Sequence, residues 1–130
     1  MKNIILTGVS KGLGIETARI LLEKGYSVYG ISRSETEELR ELKEKFPGNL
    51  HTLLYDLSNV DDVKNTIFDN FIPLSIPIHG YINNAALAYD DIITNANYDR
   101  LKTSFDVNFF TPVMMTKYVI RNMIFNNIPG

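Results

Sequence analysis

The sequence contains no cysteine and no tryptophan. Without cysteine, disulfides, thiolate metal sites and cysteine nucleophiles are all excluded. No apolar run approaches the roughly 20 residues needed to span a bilayer. Only Ile4, Ile5 and Leu6 separate Met1-Lys2-Asn3 from Thr7-Gly8, which is too short a core for a signal peptide. Neither sign of charge dominates: the formal net charge of −2 argues against nucleic acid and against an anionic membrane as partners. There is no G-x-x-x-x-G-K-[ST] for a P-loop and no spacing that assembles a Ser-His-Asp triad. His51 and His79 lack metal-ligand company, so no metal centre is expected. Repeats and low-complexity segments are missing too. What remains is one cytoplasmic globular domain over 1–130, with 45% hydrophobic and 22% charged residues supplying an ordinary core and surface.

The most informative segment is Ile4-Ile5-Leu6-Thr7-Gly8-Val9-Ser10-Lys11-Gly12-Leu13-Gly14, an apolar strand joined to a helix through three glycines. Gly8 permits a tight exit from the strand, Gly12 clears space for a pyrophosphate, and Gly14 lets the helix pack closely on the sheet. The free amides of that helix, with Ser10, Lys11 and Leu13 around them, would then face the phosphates.

Periodicity places strand one at Asn3–Leu6, a helix over Lys11–Lys24 closed by Gly25, and strand two at Ser27–Ser32. A second helix runs Glu35–Phe46, with Leu39, Leu42 and Phe46 on its apolar face, and strand three follows at Leu50–Tyr55. A third helix is predicted over Val60–Phe71, capped by Ser58 or Asn59, then strand four at Ile78–Asn83 and a long helix from Asn97 to Ile124. Strands alternating with helices predict an α/β fold of Rossmann type: a three-layer α/β/α parallel sheet with right-handed crossovers and strand order 3-2-1-4. Ligands of such sheets bind at the carboxyl ends of the strands, where the order reverses. Thr7, Ser32, Asp56 and Asn83 all fall at those ends. Ser32-Arg33-Ser34 at the tip of strand two offers Arg33 as a planar cation and Ser34 as a hydroxyl for a 2′-phosphate, with Lys11 as a second charge. That set predicts NADP rather than NAD, and the missing acid disfavours an S-adenosylmethionine site.

Thr7-Gly8-x-x-x-Gly12-Leu13-Gly14 resembles the T-G-x-x-x-G-[IL]-G signature of the short-chain dehydrogenase/reductase family. Asp56-Leu57-Ser58, Asn83-Asn84-Ala85-Ala86 and Val107-Asn108 resemble its D-[LV]-[ST], N-N-A-G and V-N motifs, in the family's order. The resemblance implies NADP(H)-dependent reduction of a small carbonyl, or oxidation of an alcohol, by hydride transfer. It implies that Asp56, with Leu57 beside it, accepts from the adenine amino group, and that Asn83 and Ala85 pass beneath the adenosine ribose. Thr7 would bond across to that segment. Asn108 would bend the long helix and, through its carbonyl, hold a water in the family's proton relay; Pro112, four residues on, has no N–H to occupy that carbonyl. The pattern departs at Ala86, where the family has glycine.

The family's Y-x-x-x-K is expected beyond the fourth helix, and after Asn108 this sequence has none: Tyr118 is followed four residues on by Asn122. Tyr98-x-x-x-Lys102 precedes Asn108 and is expected to be coincidental. The chain therefore reads as the amino-terminal, cofactor-binding part of such an enzyme, truncated before its later strands and inactive alone. The alternative is a noncatalytic nucleotide-binding or sensor protein on the same partial fold. Self-association into a homo-oligomer is expected through strand four or through the apolar helix after Asn108.

Overall fold

The computed structural model describes residues 1–130. Four parallel strands form its centre: β1 (Asn3–Thr7), β2 (Ser27–Ser32), β3 (Leu50–Leu54) and β4 (Gly80–Ile82), in the order β3-β2-β1-β4. The reversal between β1 and β4 is the one the sequence pattern predicts. Every residue of β2 is buried, because it has a strand on each edge and a helical layer on each face.

Side-chain alternation along the strands divides the core in two. Leu6 and Val28 point to the face covered by α1 (Gly12–Glu23) and α2 (Glu37–Lys45), where Ile15, Ala18, Leu22, Leu39 and Leu42 meet them. Ile5, Tyr29 and Ile31 point the other way, toward a π-helix (Val63–Phe71) and α4 (Thr111–Phe125), whose Ile67, Phe68, Met115 and Val119 complete that layer.

Several boundaries differ from the sequence expectation. α2 starts two residues later than Glu35, because the Thr36 side chain accepts from the Leu39 amide and so caps the helix. Neither Ser58 nor Asn59 caps the third helix, which begins at Val63 rather than Val60 and winds with i→i+5 spacing. The wider turn brings Lys64 to Asp69 at 2.9 Å and lets the Ile72 amide reach the Ile67 carbonyl. A short 3-10 turn (Ile93–Asn95) and α3 (Tyr98–Phe105) lead into a second π segment (Asp106–Phe110) and then α4. Around Asn108, where a bend is expected, the helix winds with i→i+5 pairing, exemplified by the Thr111 amide on the Asp106 carbonyl, just before the N–H-less Pro112.

β4 is only three residues long and opens at Gly80 rather than at Ile78, where the sequence pattern starts it. Buried Asn122 takes over there: its Oδ1 accepts from the Ile78 amide at 2.9 Å and its Nδ2 donates to the Ile76 carbonyl at 3.0 Å. Gly80–Ile82 pairs with β1 on one edge and carries no strand on the other.

Two phenols, Tyr55 in this core and Tyr81 packed against it, should make stability fall at high pH. Burial, with Asp62, Asp56 and Asp61 adding to it, pushes the Tyr55 phenol up to about 12, and burial pushes Tyr81 up to about 12. The Tyr55 hydroxyl donates to the Asn59 carbonyl, a bond that ionisation removes. A raised folded-state value means this stabilisation is complete below the ordinary phenol value near 10 and is lost as pH rises toward about 12. Urea midpoints measured from pH 9 to 12 should decline, and decline less steeply in Tyr81→Phe; an identical slope in that variant would contradict this reading.

Candidate functional site

The turn after β1 is built by close approach. Gly8 has φ +72°, its amide donates to the Ile31 carbonyl at 2.8 Å, and a Cβ there would stand 2.8 Å from Asn84 Nδ2. Thr7 Oγ1 accepts from the amides of Asn84 (3.1 Å) and Ala85 (3.0 Å), joining the ends of β1 and β4 as expected. Asn84 Nδ2 returns a bond to the Gly8 carbonyl at 3.1 Å. Nothing in the Asn83-Asn84 pair alone signals that bond, whose partner lies 76 positions away in the glycine turn.

A cleft of about 390 Å³ opens at the carboxyl ends of the strands. Gly8, Ser10, Lys11 and Gly12 form its floor, and Ser32, Arg33 and Ser34 line it from β2. Tyr55, Asp56, Leu57 and Ser58 line it from β3, and Asn84, Ala85, Ala86 and Leu87 from β4. Thr103 and Val107 close it from α3 and the π segment. A Cβ at Gly12 would meet no atom within 4 Å, so the space beside it is open to a ligand. No side chain caps α1 at Lys11, and the amides of Gly12, Leu13 and Gly14 have no acceptor in the protein. Orphan amides at a helix start beside a side-chain-free floor are the donor set a diphosphate requires.

The charges are arranged to the same effect. Neither Lys11 nor Arg33 has a carboxylate within salt-bridge reach. Glu35, close in sequence, is turned toward Arg40 (3.8 Å) and Lys43 (3.7 Å), and Glu37 pairs with Arg40 at 2.5 Å. The Asp56 carboxyl is held below the usual carboxylate range, first by the Ser58 amide bonded to its Oδ1 at 2.9 Å, with the Arg33 charge a smaller cause. That bond is the turn-capping arrangement, and it leaves Oδ2 without a partner at the cleft wall.

Other residues singled out from sequence lie outside the cleft lining. Leu13 is 75% exposed, so its amide rather than its side chain can serve a ligand. Gly14 is buried beneath the turn. Asn83 is exposed, with the Tyr81 hydroxyl 3.4 Å from its Oδ1. Asn108 clasps one residue of the wall: its Oδ1 accepts from the Leu87 amide at 2.8 Å and its Nδ2 donates to the Leu87 carbonyl at 2.7 Å, fastening the loop after β4 to the helix. Tyr98 and Lys102 do not reach the cleft. Tyr98 is 76% exposed, and Lys102 is bonded at 2.8 Å to Asp106, which raises its pKa.

A model of the short chain dehydrogenase family matches residues 2–130. An uncharacterised oxidoreductase of Bacillus subtilis, YxnA, is 31% identical over 130 residues, covering 98% of this chain and 36% of its own length. L-xylulose reductase of Caenorhabditis elegans is 30% identical over 129 residues, covering 99% of this chain and 51% of its own. Among solved structures, 4-hydroxyisoleucine dehydrogenase complexed with NADH superposes with a TM-score of 0.88 at 22% identity, over 100% of this chain and 52% of that one. The chain thus spans between a third and about half the length of the curated relatives it matches.

Proposed function

The chain belongs to the short chain dehydrogenase family, and from that membership we propose that its cleft binds NADP(H) as the nucleotide-binding part of an oxidoreductase. The family's cofactors are the nicotinamide dinucleotides, which supply a transferable hydride. The substrate on this reading is a small carbonyl compound or alcohol. The residues at hand divide the work: the amides of Gly12, Leu13 and Gly14 take the diphosphate, Lys11, Arg33 and Ser34 the 2′-phosphate, and the free oxygen of Asp56 the adenine amino group. Ala85 and Asn83 flank the ribose, and Asn108 keeps Leu87 and the neighbouring wall in place. No tyrosine and lysine in the family's relation follow Asn108 in this sequence, so none of these residues is given the proton transfer to or from substrate. A homo-oligomer is part of the proposal, supported by the unpaired outer edge of β4 and by exposed Phe105, Phe109 and Phe125 along the long helix.

The observation that carries the cofactor choice is the pair of unneutralised cations, Lys11 and Arg33, beside a glutamate engaged elsewhere. An acid at this place would accept the ribose hydroxyls and repel a phosphate, whereas two free cations do the opposite. Arg33→Ala should weaken NADP⁺ by about 1.5–3 kcal/mol, or roughly 10- to 150-fold, through loss of a charge-assisted contact. NAD⁺ affinity should stay within about twofold, since NAD⁺ has no phosphate to lose. Calorimetric titration of both dinucleotides checks this, and an unchanged NADP⁺ affinity would remove the proposal's support.

A further inference from the structure

The cations proposed to read the 2′-phosphate sit on two separate segments, Lys11 on the glycine turn and Arg33 on the β2–α2 connection. Backbone bonds tie the first part of the turn to β2, from the amides of Gly8 and Val9 to the Ile31 carbonyl. Beyond Val9 those ties stop. Between residues 10–12 and the connection a single hydrogen bond remains, donated by Thr36 Oγ1 to the Ser10 carbonyl at 2.5 Å. The same oxygen accepts from the Leu39 amide at 3.3 Å, so one hydroxyl holds the turn and also starts α2. Within the connection, Ser32 Oγ donates to the Ser34 carbonyl at 2.9 Å and shapes the tip that carries Arg33. The start of α2 anchors the far end of the connection, and in its first turns Arg40 and Lys43 draw Glu35 aside.

We propose that Thr36 is the positioning residue for cofactor discrimination: its hydroxyl holds the Ser10–Lys11 wall against the Arg33–Ser34 wall so that both cations engage one 2′-phosphate. The inference rests on the reading of the cleft as an NADP(H) site. Thr36 itself touches no cofactor. Diphosphate binding depends on the amides of Gly12, Leu13 and Gly14, which the close packing of Gly14 on the Gly8 carbonyl and the Asn84 bond to that carbonyl hold in place without Thr36, so loss of the single tie to Ser10 should fall mainly on the 2′-phosphate. A threonine merely starting a helix would have no such selectivity.

The test compares the unmutated chain with Thr36→Val, Thr36→Gly and Thr36→Ser by titration with NADP⁺ and NAD⁺. Valine keeps the branched shape without the hydroxyl, and glycine removes the side chain altogether yet is well tolerated at an N-cap, so it decides the matter should valine impair folding. Both variants should bind NADP⁺ about tenfold more weakly with NAD⁺ changed less than about twofold, while serine, which keeps donor and acceptor, retains the discrimination. Equal weakening of both dinucleotides, or unchanged NADP⁺ binding in valine and glycine, overturns the role of Thr36 while leaving the site reading intact. An unmutated chain that fails to prefer NADP⁺ overturns the site reading and this inference with it.

Discussion

Gly14→Ala should both destabilise the chain and abolish dinucleotide binding. A Cβ at this position would stand 1.7 Å from the Gly8 carbonyl oxygen and 2.8 Å from Asn84 Nδ2. The first of these atoms is backbone in a turn fixed by the Gly8 amide on Ile31 and by Asn84 on its own carbonyl, so no flexible side chain can yield. α1 must move off β1 instead. Such overpacking costs about 3 kcal/mol or more in a site that cannot collapse, and it displaces the three amides offered to the diphosphate. Gly12→Ala is the control: its added methyl meets no atom within 4 Å but sits at φ +59°. It should lose about 1–2 kcal/mol of stability to backbone strain and still lose binding, because the methyl fills the floor. Urea melts and calorimetric titrations of the two variants separate these effects, and a Gly14→Ala chain with ordinary stability would contradict the packing described.

Asn122→Ala should have a comparably large effect on stability with no effect on the cleft. Asn122 is 1% exposed and answers an amide and a carbonyl of the segment before β4. Truncation leaves a buried amide and a partly buried carbonyl without partners and opens a void, which together cost about 2–4 kcal/mol. The urea midpoint should fall accordingly. Hydrogen exchange at the Ile78 amide should accelerate relative to its neighbours, while NADP⁺ affinity of the folded chain stays unchanged, since Asn122 lies outside the cleft lining. Retained protection at Ile78 would show that another group can satisfy it.

The contrast between these two positions explains what the sequence makes legible. Strands of a parallel sheet covered on both faces are short apolar runs, so Asn3–Thr7 and Ser27–Ser32 stand out, and the glycine spacing that follows β1 admits few structural readings. The strand order and the positions of Arg33 and Asp56 at strand ends follow from that pattern. Asn122 gives no such signal: an asparagine late in a helix reads as a mildly unfavourable residue, and its partners lie 44 and 46 positions away. Thr36 hides for a similar reason, because the carbonyl it holds is on Ser10, across 26 residues. The i→i+5 winding of Val63–Phe71 was not legible either. Its buried Val63, Ile67 and Phe68 satisfy an ordinary amphipathic helix equally well, and only the pairing of Lys64 with Asp69 betrays the wider turn.

The central claim, an NADP(H) site at the ends of β1 to β4, is tested most directly by following the backbone amides of the isotopically labelled chain by NMR during titration with NADP⁺ and, separately, NAD⁺. The account predicts that NADP⁺ moves the resonances of Gly12, Leu13 and Gly14 together with Arg33, Ser34, Ser58 and Ala85, and that NAD⁺ at equal concentration moves Arg33 and Ser34 far less. Perturbation confined to the groove beside Lys102 and Asp106, or to that beside Lys64 and Arg121, with the glycine turn unmoved, would contradict it.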